Sequence, residues 1–219
     1  TKNNICDLYK NLFNEQYHGK LNGFVYDFTE KVKNDYTLFS ETKNKELESL
    51  IENIDYVIGN PPYVTLYGRR DRKRNEQQRI SYLSQYRQFP QIVKNGKINY
   101  VMLFLEHGLD YLKKDGKLAY IIDISFFETA YKYTRKYLLE KTKIISLEKN
   151  ISNFDGVASG QLIVKLQKNS ENVNHNIKVG DFFGKEFYKV NQKDWYNEND
   201  EYKFRLKLSD ITDGILKKI

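Results

Sequence analysis

Apolar side chains recur along this chain at two spacings. From residue 98 the spacing is helical: Ile98, Val101, Met102, Leu105, Leu109 and Leu112 fall on one face. The "KKDG" that follows reads as a basic last turn closed by a terminating glycine. Ile5, Leu8, Leu12 and Phe13 give the same periodicity over residues 5–17, and "KNKELESLIENI" predicts a helix before residue 54. "SFFE" (125–128) has the form of a capping box, with Ser125 at N-cap and Glu128 at N3, and predicts a helix running to about Glu140. Compact apolar runs predict strands: "GFVYDF" (23–28), "DYVIG" (55–59), "KLAYII" (117–122), "KIISLE" (143–148) and "GQLIVKLQ" (160–167). Residues 64–96 read as a long, polar, Arg-rich connection. After residue 168 the chain turns polar, as an extended arm with a short helix at "ITDGILKKI".

Short strands alternating with helices predict an α/β domain with a largely parallel sheet. The last two strands are joined without a helix, so one of them is expected to be antiparallel. In such sheets ligands sit at the carboxyl ends of strands. Asn60–Tyr63, Asp27–Phe28 and Asp123 each end a strand, and these ends should face one crevice.

Composition narrows the class. The chain has 219 residues, 40% hydrophobic and 30% charged, which suffices for a core and argues against global disorder. Aromatics make up 15%, with 18 Tyr and 13 Phe, offering many stacking faces beside ordinary core. The net charge of +7 points to a polyanionic partner, nucleic acid first. A single cysteine, Cys6, excludes a disulfide framework and a Cys-based zinc site. His18, His107 and His175 lie too far apart for a local ligand motif. No apolar run approaches the ~18 to 20 residues of a membrane span, and no signal peptide is evident. The expectation is a soluble cytoplasmic protein. Residue 1 is Thr within a helical pattern, so a fragment of a longer polypeptide is expected.

The strand "DYVIG" runs straight into Asn60-Pro61-Pro62-Tyr63, which holds two of the three prolines. The Asn side-chain oxygen and a proline carbonyl are both acceptors, and proline brings no competing N–H. Adjacent prolines hold that backbone extended. Two fixed acceptors suit a planar NH₂ group with two protons to donate. Accepting both turns the nitrogen lone pair out of conjugation and makes it more nucleophilic, by position and electrostatics alone. Tyr63 adds a face for a flat substrate. By itself Asn-Pro-Pro-Tyr also suits a plain turn after a strand.

"DYVIGNPPY" resembles the catalytic motif of amino-group methyltransferases that use S-adenosylmethionine. It is most similar to gamma-type N6-adenine DNA methyltransferases, including those within type II and fused type IIG restriction–modification enzymes. "YVMLFLEHGLDYLKKDGKLAYIIDISFF" is similar to the helix–turn–strand after that motif. "NFDGVASGQLIVKLQ" resembles the late loop and hairpin strand, "GFVYDF" an earlier strand, and "GILKKI" the segment before target recognition. The resemblance covers roughly residues 5–219 and implies a Rossmann-like methyltransferase sheet. It also implies roles for individual residues. Asn60 and the Pro61 carbonyl would bind the adenine amino group beside Pro62. Tyr63 would stack on the flipped base and Phe154 would be a second aromatic against it. Asp27 and Phe28 would contact the adenine of S-adenosylmethionine. Phe154 also suits plain core packing, and Asp27 a strand-end cap; Asp123 has no assignment.

"YGRRDRKRNEQQR" (67–79) carries six basic and two acidic residues directly after the motif. Arg69, Arg70, Arg72, Lys73 and Arg74 are candidates for phosphate contacts with double-stranded DNA, against the alternative of a solvated surface loop. The chain contains no G-x-G, the turn that lets backbone approach the cofactor in this family. Residues 1–168 are therefore expected to be the carboxyl-terminal part of a catalytic domain whose first strands the parent polypeptide supplies. Residues 169–219 are expected to lead toward target recognition. Two further classes stay open: transfer to a protein glutamine amide or an rRNA guanine amino group, and a non-catalytic DNA-binding remnant.

Overall fold

The computed structural model describes residues 10–11, 49–66, 72–87, 98–123, 126, 131–149, 160–169, 174–184 and 187–205. The predicted helix over 5–17 lies mostly, and the strand over 23–28 wholly, outside them; of the predicted helix over 43–54, residues 49–50 are helical, 51–53 form a turn and Ile54 opens a strand, while 43–48 lie outside. Among the described residues six strands form one sheet: β1 (Ile54–Gly59), β2 (Leu112–Asp123), β3 (Thr142–Lys149), β4 (Gln161–Lys168), β5 (Asn176–Asp181) and β6 (Phe187–Asn191). Three α-helices accompany it: α1 (Arg72–Gln85), α2 (Tyr100–Tyr111) and α3 (Lys132–Lys141).

Strand order is β1-β2-β4-β3-β5-β6. β1 runs parallel to β2, and β5 parallel to β3, while β4 lies antiparallel between β2 and β3 and β6 antiparallel to β5. β1, β2, β3 and β5 thus share a direction, and of the two last predicted strands, β3 and β4, β4 is the expected antiparallel one. The main core lies between the sheet and its helices. Leu118, Tyr120 and Ile122 of β2 meet Leu105 and Leu109 of α2 and Leu138 of α3 there. On the other face Ala119 and Ile163 pack with Ile58, Ile121 and Phe182. The alternation along β2 follows from the two-residue period of a strand. Among the described residues no helix is long and apolar enough to cross a membrane.

The structure departs from the sequence expectations in three places. The connection over 64–96 contains α1, on which Arg79 and Tyr82 are buried, as is Tyr86 just past its end. Tyr82 and Tyr86 meet edge to face at 6.2 Å. The polar arm contributes β5 and β6 to the same sheet, with Ile177, Val179, Val190, Trp195, Tyr202 and Phe204 in the core. Its predicted helix at 211–219 lies outside the described residues. α3 begins at Lys132, after Tyr131, and ends at Lys141, beside the predicted end near Glu140; the predicted capping box, Ser125 and Glu128, lies outside the described residues. Finally, "KKDG" is not a helix stop. α2 ends at Leu112, already extended, and residues 113–116 form a bulge in β2. In register, Ile54 faces Leu112 and Tyr56 faces Lys117. Asp115 takes φ 64° there, and a Cβ on Gly116 would come within 3.0 Å of the Ile54 and Lys113 carbonyl oxygens.

Gly108 marks a close approach of α2 to the sheet. A Cβ there would lie 2.5 Å from the Tyr120 hydroxyl and 2.8 Å from Leu118 Cδ1. Alanine gains about 1 kcal/mol in helix propensity over glycine, but overpacking a filled core costs about 1–3 kcal/mol. Gly108→Ala is expected to destabilise the protein by about 1–2 kcal/mol, read as a lower urea midpoint at unchanged slope. A raised midpoint would mean that the core relaxes around the methyl group.

Candidate active site at the carboxyl edge of the sheet

β1 carries its last paired residue, Gly59, opposite Tyr120 of β2. A Cβ on Gly59 would lie 3.1 Å from Tyr120 Cε1 and 3.4 Å from Cδ1. The missing side chain thus makes room for the aromatic ring beneath the strand end. Tyr120 is fully buried and its hydroxyl donates to the Phe104 carbonyl at 3.3 Å. The loop that starts at Asn60 therefore stands on a fixed floor.

Its far end is pinned to the start of α2. Leu66 N–H donates to the Ile98 carbonyl at 2.8 Å, and Tyr100 N–H to the Val64 carbonyl at 2.9 Å. Asn99 Nδ2 donates to Thr65 Oγ1 at 3.1 Å, while Asn99 Oδ1 accepts from Val101 N–H at 2.9 Å and caps the helix. Between these anchors Pro61 is buried, Asn60 and Pro62 are exposed, and Tyr63 is half-buried against the main core.

The Tyr63 hydroxyl donates to Asn60 Oδ1 at 2.9 Å and lies 3.4 Å from the Ile121 carbonyl. Burial, and then the nearby charge of Asp123, push its pKa up to about 12, so it remains a hydroxyl at neutral pH. Asp123 ends β2 and faces Gln161, the first residue of β4. Gln161 is buried and its Oε1 has no hydrogen-bond partner among the described residues. The edge thus gathers Asn60, Tyr63, Asp123 and Gln161. Neither Asp123 nor Gln161 has a sequence assignment, because only the β2–β4 register brings them together.

Arg72, Lys73 and Arg74 open α1, and no acidic residue occupies its first turn. Arg69, Arg70, Asp27, Phe28 and Phe154 lie outside the described residues. A cavity of about 320 Å³ lies at the opposite, amino edge of the sheet. It is lined by Arg87, Lys114, Lys141 and Lys168 with Glu52 and Asp110, and does not adjoin Asn60.

A family model for the Eco57I restriction-modification methylase matches residues 2–156. No match was found among curated proteins. Among solved structures, the chain is similar to the ATP-dependent Type ISP restriction-modification enzyme LlaBIII bound to DNA. That alignment has a TM-score of 0.52 at 18% identity and covers 70% of this chain and 12% of that one. The type IIG restriction endonuclease BpuSI aligns with a TM-score of 0.49 at 16% identity, over 71% of this chain and 21% of that one. A class I S-adenosylmethionine-dependent methyltransferase from Listeria monocytogenes aligns with a TM-score of 0.44 at 18% identity, over 61% and 38%. The chain spans well under half the length of each. The likeness to LlaBIII is one of fold.

Proposed function

The chain belongs to the Eco57I restriction-modification methylase family, and from that premise we propose that it holds the substrate for methyl transfer to the N6 amino group of adenine in double-stranded DNA. The observation that carries this reading is Asn60, exposed on a loop pinned at both ends, beside Tyr63 at 2.9 Å. An extruded adenine presents its amino group to Asn60 Oδ1 and the Pro61 carbonyl, and its face to Tyr63. Held by two acceptors, the nitrogen becomes more pyramidal, and its lone pair is drawn out of conjugation and aimed at an electrophilic carbon. Once the methyl group is attached the nitrogen is cationic and acidic, and it gives up one proton to solvent from the side held by these acceptors. A carboxylate base is not required, since the positions of the acceptors supply the activation.

S-adenosylmethionine, when bound, supplies the methyl group on a sulfonium. Asp27 and Phe28 are the candidates to contact it, with Phe154 as a second aromatic beside the base. The chain has no G-x-G, and Asp27 and Phe28 fall outside the described residues, so the described residues do not make up a cofactor site. The complete cytoplasmic polypeptide is proposed to add the remaining strands, and residues 169–219 to lead toward target recognition.

The experiment incubates the complete polypeptide with tritiated S-adenosylmethionine and duplex DNA, then digests the DNA to nucleosides. Label is expected in N6-methyldeoxyadenosine. Label confined to protein or to rRNA would instead favour a glutamine amide or a guanine amino group as acceptor. No label in any of them would favour a non-catalytic DNA-binding chain.

Basic residues at the start of a helix oppose its dipole by about 0.3–1 kcal/mol each. Arg72, Lys73 and Arg74 stand at that end of α1 without an acidic neighbour in the first turn. Such local frustration supports a role outside the helix, as phosphate contacts. Replacing Arg69, Arg70, Arg72 and Arg74 by Gln is expected to weaken binding to all duplex sequences alike. The slope of log affinity against log salt should flatten by about 0.9 for each phosphate that is no longer neutralised. A titration with unchanged affinity and slope would sink the assignment.

A further inference from the structure

β5 and β6 form a two-stranded ribbon at the end of the strand order away from β1. One face of the ribbon joins the core: Ile177, Val179 and Val190 are buried there, with Tyr188 packed against it. The alternate positions carry exposed Lys178, Phe187 and Lys189. Lys178 stands directly opposite Lys189, and Phe187 opposite Gly180. Like charges opposite each other on neighbouring strands destabilise the pair. The acidic residues of β3 and β5 are engaged with other lysines: Glu148 pairs with Lys165 at 2.8 Å and Asp181 with Lys149 at 3.6 Å.

The turn between β5 and β6 presents a second exposed ring. Gly184 N–H donates to the Asp181 carbonyl at 3.0 Å, and Phe182 N–H to the Lys149 carbonyl at 2.8 Å, so the turn is held at both sides. Phe182 packs on the sheet, and Phe183 meets it edge to face at 4.9 Å while staying 72% exposed. Because β5 shares the direction of β1 and β2, this turn lies at the carboxyl edge, the edge that holds Asn60. Four strand spacings separate β5 from β1. That is about 19 Å, or about 5–6 base pairs along a duplex.

We propose that the β5–β6 ribbon is a second contact for the duplex whose adenine enters the site, with Lys178 and Lys189 on backbone phosphates and the Phe183 and Phe187 rings against deoxyribose and base edges. This rests on the reading of double-stranded DNA as the substrate. Phosphate relieves the repulsion that the two lysines suffer in the free protein. The rings offer apolar faces to the sugars and bases beside that phosphate. A neutral protein surface laid here would instead bury two lysines without counter-charge, which is costly. The ribbon thus grips the flank of the duplex about half a helical turn from the extruded base and adds affinity without reading sequence.

The complete polypeptide is titrated at several salt concentrations with a mixed-sequence duplex of about 30 base pairs, long enough to cover both contacts. Lys178→Gln combined with Lys189→Gln is expected to weaken binding and to flatten the slope of log affinity against log salt by about 0.9 per lysine. Its urea midpoint should not fall, since a like-charge pair has been removed. Lys178→Arg with Lys189→Arg should keep the slope. Phe183→Ala should weaken binding about 5-fold with the slope unchanged, the lower end of the range for aromatic rings on nucleotides. A photoreactive p-benzoylphenylalanine placed at position 183 should crosslink to the duplex. Glutamine and alanine variants that bind with the affinity and slope of the unsubstituted protein, or crosslinks confined to the polypeptide, overturn the inference while leaving DNA methylation standing. Absence of duplex binding by the unsubstituted protein overturns the underlying reading, and the role of the ribbon with it.

Discussion

Asn60→Ala is expected to lower the single-turnover rate of DNA methylation by about 10²–10³, the loss typical of deleting one preorganised hydrogen-bonding group at a reacting centre. The reasoning is local. Asn60 sits one residue past the end of β1, exposed, over the buried ring of Tyr120. Its side chain bonds to Tyr63 but packs into no core, so truncation should change stability by less than about 1 kcal/mol. The loss therefore falls on the chemistry: one of two acceptors disappears, and the amino nitrogen relaxes back into conjugation with its ring. DNA affinity, carried by phosphate contacts elsewhere, should hold within a few-fold. Asn60→Asp keeps an acceptor and adds a charge, so its rate should fall between the two. A Tyr63 hydroxyl left without Asn60 still has the Ile121 carbonyl in reach, so the loop need not collapse. If the alanine variant keeps more than a tenth of the rate at saturating cofactor and DNA, the amino group is held by something else.

Part of this site could be read directly from the chain because it is local. Asn60 to Tyr63 are contiguous, and the strand before them is apolar enough to announce itself. α2 was equally legible, since Val101, Met102, Leu105 and Leu109 are aliphatic at helical spacing. α1 hides because the residues buried on it and just past its end are Arg79, Tyr82 and Tyr86, which hydropathy scores as polar although stem and ring can pack. β5 and β6 hide for a related reason. Each is only six or five residues long, and Lys178 and Lys189 alternate with Ile177, Val179 and Val190, so the segment resembles a solvated arm. "KKDG" misled because Gly116 serves a bulge whose cause is the β1 backbone, distant in sequence. The same limit applies to Asp123 and Gln161: their meeting depends on strand register, which no local pattern encodes.

Arg135→Met should cost about 3 kcal/mol of stability, within the range for breaking a buried network. Arg135 is 0% exposed, a large charged side chain wholly inside the protein. Its guanidinium donates from Nη1 to the Phe126 carbonyl at 2.8 Å, from Nε to the Tyr202 carbonyl at 3.0 Å and from Nη2 to the Glu201 carbonyl at 2.9 Å. Burial lowers its pKa to about 10, against the opposing charges of Glu201 and Asp200, so it stays a cation at neutral pH. Methionine restores most of the volume and relieves the buried charge, but it leaves three carbonyls to find new donors. Two of them belong to Glu201 and Tyr202, held at φ 54° and 53°, conformations that side-chain-bearing residues keep only when their surroundings demand it. Phe204 follows, stacked on Trp195 at 4.8 Å and tilted against Phe126 at 5.8 Å. One guanidinium thus ties the end of the described chain to Phe126, three residues beyond Asp123 at the edge of the site. Lysine, with a single nitrogen, cannot reach all three carbonyls, so Arg135→Lys should recover less than half of the loss. Denaturant midpoints of the three proteins decide the matter. A methionine variant as stable as the arginine protein would mean that water or neighbouring amides can satisfy these carbonyls, and that the fork of donors is dispensable.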